Sequence, residues 1–306
     1  MFGVSTCWRS RSIPDGAQLA RQVAGLGVNA MEIDYRLTKK TLDELLSARE
    51  DLKITPLSIH AVCPAPAYKK NKAKAEAWRL SDPDETIRLK AVNDVADTIK
   101  LAALIGARAV VVHAGSVPME KATLDLQKLY DRGVIGARAG RRLLGELKIK
   151  RLKSRGATFD MLLKSLDELS QVAENHGVDV GLENRYYLRE YPDFEEMAII
   201  FSRLSGSRIK YWHDAGHAQV QNNLGITPAN VWLEEFGDLL IGVHLHDVDR
   251  YYDHLPPPSG GEGAVDFGSL KPYLKPDTIR ILEMRDEISV ERAKRGVEWL
   301  KEQGIA

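Results

Sequence analysis

The chain of 306 residues is 44% hydrophobic, so it can bury roughly three quarters of its unfolded surface without staples, and its only cysteines, Cys7 and Cys63, are too few for a disulfide framework and spaced unlike a zinc knuckle. Its 43 Lys and Arg residues balance 43 Asp and Glu residues to zero formal charge, which excludes a long-range field drawing it to nucleic acid or to an anionic membrane. Residues 1–16 lack an apolar run of signal length and no segment approaches the roughly 20 apolar residues of a membrane span, so the expectation is a cytoplasmic protein in a reducing compartment, a single domain over residues 1–306, with a homo-oligomer left open.

Apolar runs of strand length alternate with segments of helical period from end to end. Strands are expected at residues 3–7, 30–33, 53–60, 109–113, 178–183, 209–213, 240–246 and 278–283. The clearest helices are expected at 15–26, 41–49, 84–104, 159–175, 193–204 and 290–302, and a short one near 267–273 follows the seventh strand. Asp, Thr or Pro opens several of them, and glycine closes them, as in Leu26-Gly27 and His176-Gly177. Eight βα units with no Gly-rich dinucleotide fingerprint after the first strand predict an α/β fold of the closed (β/α)8 TIM barrel type rather than an open sheet.

Two connections stand out as long and basic: residues 68–79 after the third strand and residues 128–155 after the fourth, the latter read as a basic insertion. On a barrel both follow a strand, so both fall on the face where active sites form. A solvated helix surface accounts for such charge runs equally well.

Four successive apolar runs in the second half end on metal-binding side chains: Val180-Gly181-Leu182-Glu183, Ile209 to Asp214, Ile241 to His246, and Ile279-Arg280-Ile281-Leu282-Glu283. One polar strand end is ordinary, but four in succession imply that the strand ends converge on a shared divalent cation. His244 and His246 are two apart on one strand and alternate with Val243 and Leu245, so both face the barrel interior. Glu183, Asp214, His244 or His246, and Glu283 form a mixed oxygen and nitrogen set that suits Mn²⁺, Zn²⁺, Co²⁺ or Fe²⁺. His60 and His113 close the third and fourth strands, His217 lies three residues beyond Asp214 on a strand-to-helix turn, and His254 follows the seventh strand. His176 and His213 look unrelated to this face.

Leu182-Glu183-Asn184, Asp214-Ala215-Gly216-His217, His244-Leu245-His246-Asp247, Asp253-His254-Leu255-Pro256-Pro257 with the run from Gly261 to Phe267, and Leu282-Glu283 resemble the xylose isomerase-like TIM barrel superfamily, which includes sugar epimerases and isomerases, inosose dehydratase and endonuclease IV. The resemblance to the epimerases and isomerases implies one catalytic divalent metal held by Glu183, Asp214, a strand-seven histidine and Glu283. His244 matches the His-Leu-x-Asp pattern. It further implies that Glu183 and Glu283 exchange a proton at a carbon next to a carbonyl. Resemblance to endonuclease IV implies a three-zinc cluster, to which His60, His113, Glu183, Asp214, His217, His244, His254 and Glu283 match by position. That cluster expects an Asp two residues before His254, where this chain has Tyr252 with Asp253 one place later. It also expects a small-residue turn where this chain has Arg185-Tyr186-Tyr187.

The leading expectation is therefore a metal-dependent isomerase, epimerase or related lyase acting on a sugar, polyol or keto acid, possibly phosphorylated, with one metal per chain rather than three. His60, His113, Arg185, His217 and Trp212 are expected to contact substrate, and His217 and His254 are counted with the metal-binding groups. Arg185 is the best match for an anionic substituent because its planar fork fits carboxylate and phosphate. A zinc-dependent hydrolase of abasic DNA is the alternative, and a non-catalytic metal-binding protein the third reading.

Overall fold

A computed structural model describes residues 1–66 and 79–306. The basic stretch expected at 68–79 lies, apart from Arg79, outside the described residues.

In chain order the elements are β1 (Phe2–Ser5), α1 (Gly16–Ala24), β2 (Ala30–Ile33), α2 (Lys39–Leu52), β3 (Thr55–His60), α3 (Glu85–Ile105), β4 (Ala109–Val112), α4 (Thr123–Asp131), α5 (Arg138–His176) and β5 (Asp179–Glu183). The second half continues with α6 (Phe194–Arg203), β6 (Ile209–Asp214), α7 (Ala215–Asn223), α8 (Val231–Phe236), β7 (Leu240–Leu245), the hairpin β8 (Asp247–Asp249) and β9 (Tyr252–Leu255), β10 (Ile279–Leu282) and α9 (Val290–Glu302). Eight of the strands close a parallel barrel in the order β1-β10-β7-β6-β5-β4-β3-β2. This is the (β/α)8 TIM barrel anticipated by the alternation of apolar runs and helical segments. Among the described residues, no helix is long and apolar enough to cross a membrane.

The strand residues sort by parity. Val4, Ile33, Ile59, Val110, Val112, Leu182 and Leu245 turn outward against the helices and join the main core. Ala30, Ala109, Val111, Trp212, Ile279 and Ile281 turn inward and fill the barrel. Trp212 is fully buried and takes most of that interior, and it fits because its neighbours are small. A Cβ on Gly242 would stand 2.2 Å from the indole and one on Gly181 2.9 Å away, so both positions need glycine.

Helix starts follow the sequence signals. Asp15, Thr38, Asp84, Asp193 and Ser289 each accept a backbone N–H from the first turn of the helix they open. Asp193 and Glu196 form a reciprocal capping box on α6. Helices α3 and α5 end on left-handed glycines, Gly106 and Gly177.

Of the two readings of the segment at 128–155, the helix surface is the one the structure matches. Most of it is helical, because its Arg, Lys and Leu content favours a helix, and it runs into the helix expected at 159–175 across a break at Gly156, where φ is 22°. Its charges are largely engaged locally: Arg142 pairs with Glu146, Lys150 with Glu120, and Arg151 with Asp193 and Glu196. Arg151 and Glu196 are buried, so this ion pair fastens α5 to α6. The seventh helix is a short 3-10 turn at Phe267–Tyr273 containing Pro272, as its weak pattern suggested.

Candidate metal centre at the barrel mouth

Inward parity carries the strand-end residues to the C-terminal mouth. Glu183, Asp214, His244 and Glu283 each offer one ligand atom, and these atoms all lie within 4.8 Å of one another. Nδ1 of His244 is the hub, 2.9 Å from Glu183 Oε1, 3.1 Å from Glu283 Oε2 and 3.6 Å from Asp214 Oδ2. All four residues are buried. Asp214 also caps α7, its Oδ1 accepting the N–H of His217 at 2.7 Å, which is the strand-to-helix turn expected for Asp-x-x-His. Asn184 fixes the turn from beside it: Oδ1 accepts the N–H of Asp214 at 2.8 Å, and Nδ2 donates to the Asp214 carbonyl at 2.9 Å.

Two further groups share residues with this one. Asp214, His217, His246 and His254 form the second, and His60, His113 and Glu183 form the third. Nε2 of His246 is 2.9 Å from Asp214 Oδ1. The His246 ring packs on the first turn of α7, where a Cβ on Gly216 would come within 2.0 Å of it. Asp253 joins the second group, its Oδ2 lying 3.1 Å from Nδ1 of His254 and 3.8 Å from Nε2 of His217. The hairpin β8–β9 delivers both residues. Its base is tied by the Asp247 carboxylate, which accepts the N–H groups of Val248, Ser259 and Val265 at 2.8, 2.7 and 2.9 Å.

In the third group the position of a cation is already taken. The Arg185 guanidinium contacts Glu183 Oε2, the oxygen that also lies 3.1 Å from Nε2 of His113. Burial, with Arg185 beside it, pushes the His113 pKa well down. The mouth is otherwise charge-coupled. Burial alone would raise Asp214 and Glu283, yet His217 and His246 hold Asp214, and His244 and His254 hold Glu283, well below the usual carboxylate range. Burial would lower His244, but Glu32 and Glu283 keep it well above its ordinary value. Burial would likewise lower His254, but Asp253 and Glu283 raise it to about 10. Three carboxylates this close in a dry pocket require positive charge among them. His244 and His254 are the rings placed against these carboxylates, and the same donor set fits a divalent cation of the Mn²⁺, Co²⁺, Fe²⁺ or Zn²⁺ type.

A cavity of about 250 Å³ opens above, lined by His60, His113, Glu183, Arg185, His217, His254 and Glu283 together with Tyr35, Arg36, Tyr186, Tyr187, Asp253 and Arg285. Of the residues expected at the pocket, Trp212 is the one placed elsewhere: it lies a layer below, its ring centroid 5.1 Å from that of His244. It precedes Asp214 by two and shares its inward parity, so it sits deeper along the same strand. Among the described residues, none from 128–155 lines this cavity. His213 turns outward, its Nδ1 2.6 Å from the Tyr211 hydroxyl.

Sequence reading missed Glu32, Tyr35, Arg36 and Arg285. Glu32 is fully buried, with both oxygens 3.1 Å from Nε2 of His244. A signal for it existed, since an acid in the middle of the apolar run Ala30-Met31-Glu32-Ile33 shares inward parity with Ala30.

Fold and mouth together are those of a TIM barrel whose strand ends gather side chains that could hold a metal ion. The chain belongs to the xylose isomerase-like TIM barrel family, whose model matches residues 20–303. It is similar to the Methanocaldococcus jannaschii protein MJ1311, with 26% identity over 197 residues, a match spanning 63% of this chain and 55% of that relative. Among solved structures it resembles a D-tagatose 3-epimerase-like protein (TM-score 0.67, 20% identity, 99% of this chain and 97% of the other). It also resembles YcjR of E. coli, a 3-keto-D-glucoside 4-epimerase (TM-score 0.67, 17% identity, 98% of each chain). At these identities the likeness speaks for the fold.

Proposed function

We propose that the protein is a divalent-metal-dependent sugar isomerase or epimerase that moves a proton at a carbon next to a carbonyl. The observation that carries this reading is the placement of Glu183 at the end of β5 and of Glu283 just after β10, at 2.9 and 3.1 Å from Nδ1 of His244. Glu183, Asp214, His244 and Glu283 would hold one cation, which when bound supplies Lewis-acid polarisation of the substrate carbonyl. One glutamate takes the proton from the neighbouring carbon and the other returns a proton from the opposite face. The two solved structures it resembles, a D-tagatose 3-epimerase-like protein and a 3-keto-D-glucoside 4-epimerase, accord with the same chemistry.

An anionic sugar fits the surroundings. Arg36 and Arg285 line this cavity and also an adjoining one of about 230 Å³ that contains Arg11, so a phosphate or carboxylate on the sugar would meet guanidinium groups there. Arg185 stays with Glu183 and Glu190, where it steadies the base rather than reaching outward. Both cysteines are free and buried, which accords with a reducing, cytoplasmic setting.

The experiment is incubation of the metal-loaded protein in D2O with a panel of ketoses and their phosphates. The expected result is deuterium at the epimerised carbon with near one metal per chain. Metal-independent exchange, or none with any ketose, would sink the proposal. A second reading, a multi-metal phosphodiester hydrolase, is favoured by the three donor groups sharing Glu183 and Asp214. Near three metals per chain, with cleavage of an abasic duplex, would establish it instead.

A further inference from the structure

Two histidines on β7 face the same mouth, and their second nitrogens are wired in opposite senses. Nε2 of His244 lies 3.1 Å from each oxygen of Glu32. A carboxylate can only accept, so Glu32 holds Nε2 of His244 as an N–H, which leaves Nδ1, the atom facing Glu183 and Glu283, as the nitrogen that would give up its proton to a bound cation. His246 is the reverse. Its Nδ1 accepts the backbone N–H of His254 at 3.0 Å, which puts the ring proton on Nε2, pointing at Asp214.

Glu32 is itself held. Register places Ser5 beside Glu32 and Glu32 beside Ser58 on three adjacent strands. The Ser5 hydroxyl donates to Oε1 at 3.0 Å and that of Ser58 to Oε2 at 2.8 Å. Ser5, Glu32, Ser58 and His244 are all fully buried, so neither water nor side-chain rotation offers His244 another partner. The indole of Trp212 packs against the ring at 65° and limits its tilt.

We propose that Glu32 is the positioning residue of the cation site: by taking the Nε2–H of His244 it makes Nδ1 of His244 the coordinating atom of strand β7 and leaves His246 as a hydrogen-bond support for Asp214. This rests on the reading of Glu183, Asp214, His244 and Glu283 as a one-cation site. Outer carboxylates of this kind fix the ring orientation and raise the basicity of the coordinating nitrogen, and losing one typically weakens metal binding by about 10 to 100-fold.

The test is Co²⁺ binding to the full chain, read as a dissociation constant by chelator competition and as the visible absorption bands of bound Co²⁺. Glu32→Gln keeps the shape and is expected to weaken binding by about tenfold and to shift the bands, whereas Glu32→Ala approaches a hundredfold. Ring ¹⁵N shifts of the Zn²⁺-loaded protein should report the Nε2–H form of His244 in the wild type and its loss in Glu32→Ala. His244→Gln should abolish stoichiometric binding while His246→Gln only weakens it. If folded Glu32→Gln binds Co²⁺ with wild-type affinity and bands, or if His246→Gln rather than His244→Gln removes the metal, the assignment is overturned. A wild type that takes up no cation at all overturns the one-cation reading, and this inference with it. A purely structural role for Glu32 would lower the melting temperature without moving the bands.

Discussion

On the β5, β6, β7 and β10 side of the barrel mouth, three carboxylates crowd one imidazole within 4.8 Å, whereas on the β1, β2 and β3 side a single carboxylate sits between two hydroxyls that satisfy it. Each carboxylate on the first side is another's repulsive neighbour, and Asp214 stands among the influences that push Glu283 upward. On the second side Glu32 is matched by donors. Under the proposed function the difference separates residues kept for chemistry from residues kept for shape: electrostatic conflict is tolerated where a cation and a substrate would resolve it, and is removed where the structure must hold still.

The contrast breaks most readily at the two glutamates. Glu183→Gln and Glu283→Gln should each lower turnover by about 10² to 10⁴-fold, the usual span for a positioned proton-transfer group. The metal-free melting temperature should fall as well, since Glu183 is the partner of the buried Arg185 and Glu283 that of His244 and His254. Deuterium incorporation and thermal unfolding measure the two effects, and full turnover in either variant would overturn the assignment. Away from the mouth, Arg151 is the opposite case. Arg151→Ala leaves the buried Glu196 with only the longer cationic contact to Arg155 at 3.6 Å, and urea unfolding should show a loss of about 3 kcal/mol while activity per folded molecule stays put.

Smaller effects sharpen the picture. Gly242→Ala drives a methyl into the Trp212 indole and should cost about 1 to 3 kcal/mol, with His244 displaced enough to raise the metal dissociation constant. On β6 the outward His213 is neutral in the fold, its pKa pushed down to about 4 by burial from an ordinary 6.5. The unfolded chain therefore binds the extra proton between those values. The stability this group contributes is complete above 6.5 and is lost as pH falls through 4. His213→Asn should flatten the acid limb of the stability profile by up to roughly 1.4 kcal/mol per pH unit in that window. Equal slopes in both proteins would show that His213 is not the titrating group.

The acidic half of the mouth was legible because each of its residues closes an apolar run, so position along the strand and exposure to the mouth coincide. The Ser5, Glu32 and Ser58 layer was not, since serines carry no ligand signal and their meeting depends on interstrand register rather than on spacing within any one run. Trp212 was expected at the pocket, but it stands two residues before Asp214 on β6, and one step of strand parity is also a step in depth. The stretch 128–155 was read as a basic insertion or a solvated helix surface, because a run of charge fits both and only the fold separates them. Asp253 stood one place from its expected position, and the left-handed backbone of His254, with φ of 56°, accompanies the turn that still brings it to His217.

The hairpin β8–β9 is fastened at its root by the Asp247 carboxylate and belongs to no ladder of the barrel. Its second strand nonetheless reaches the cavity through Asp253 and His254. Such a part is exchangeable: a lineage could graft a different hairpin there and change what the mouth admits, while Glu183 and Glu283 at the strand ends beneath stay in place.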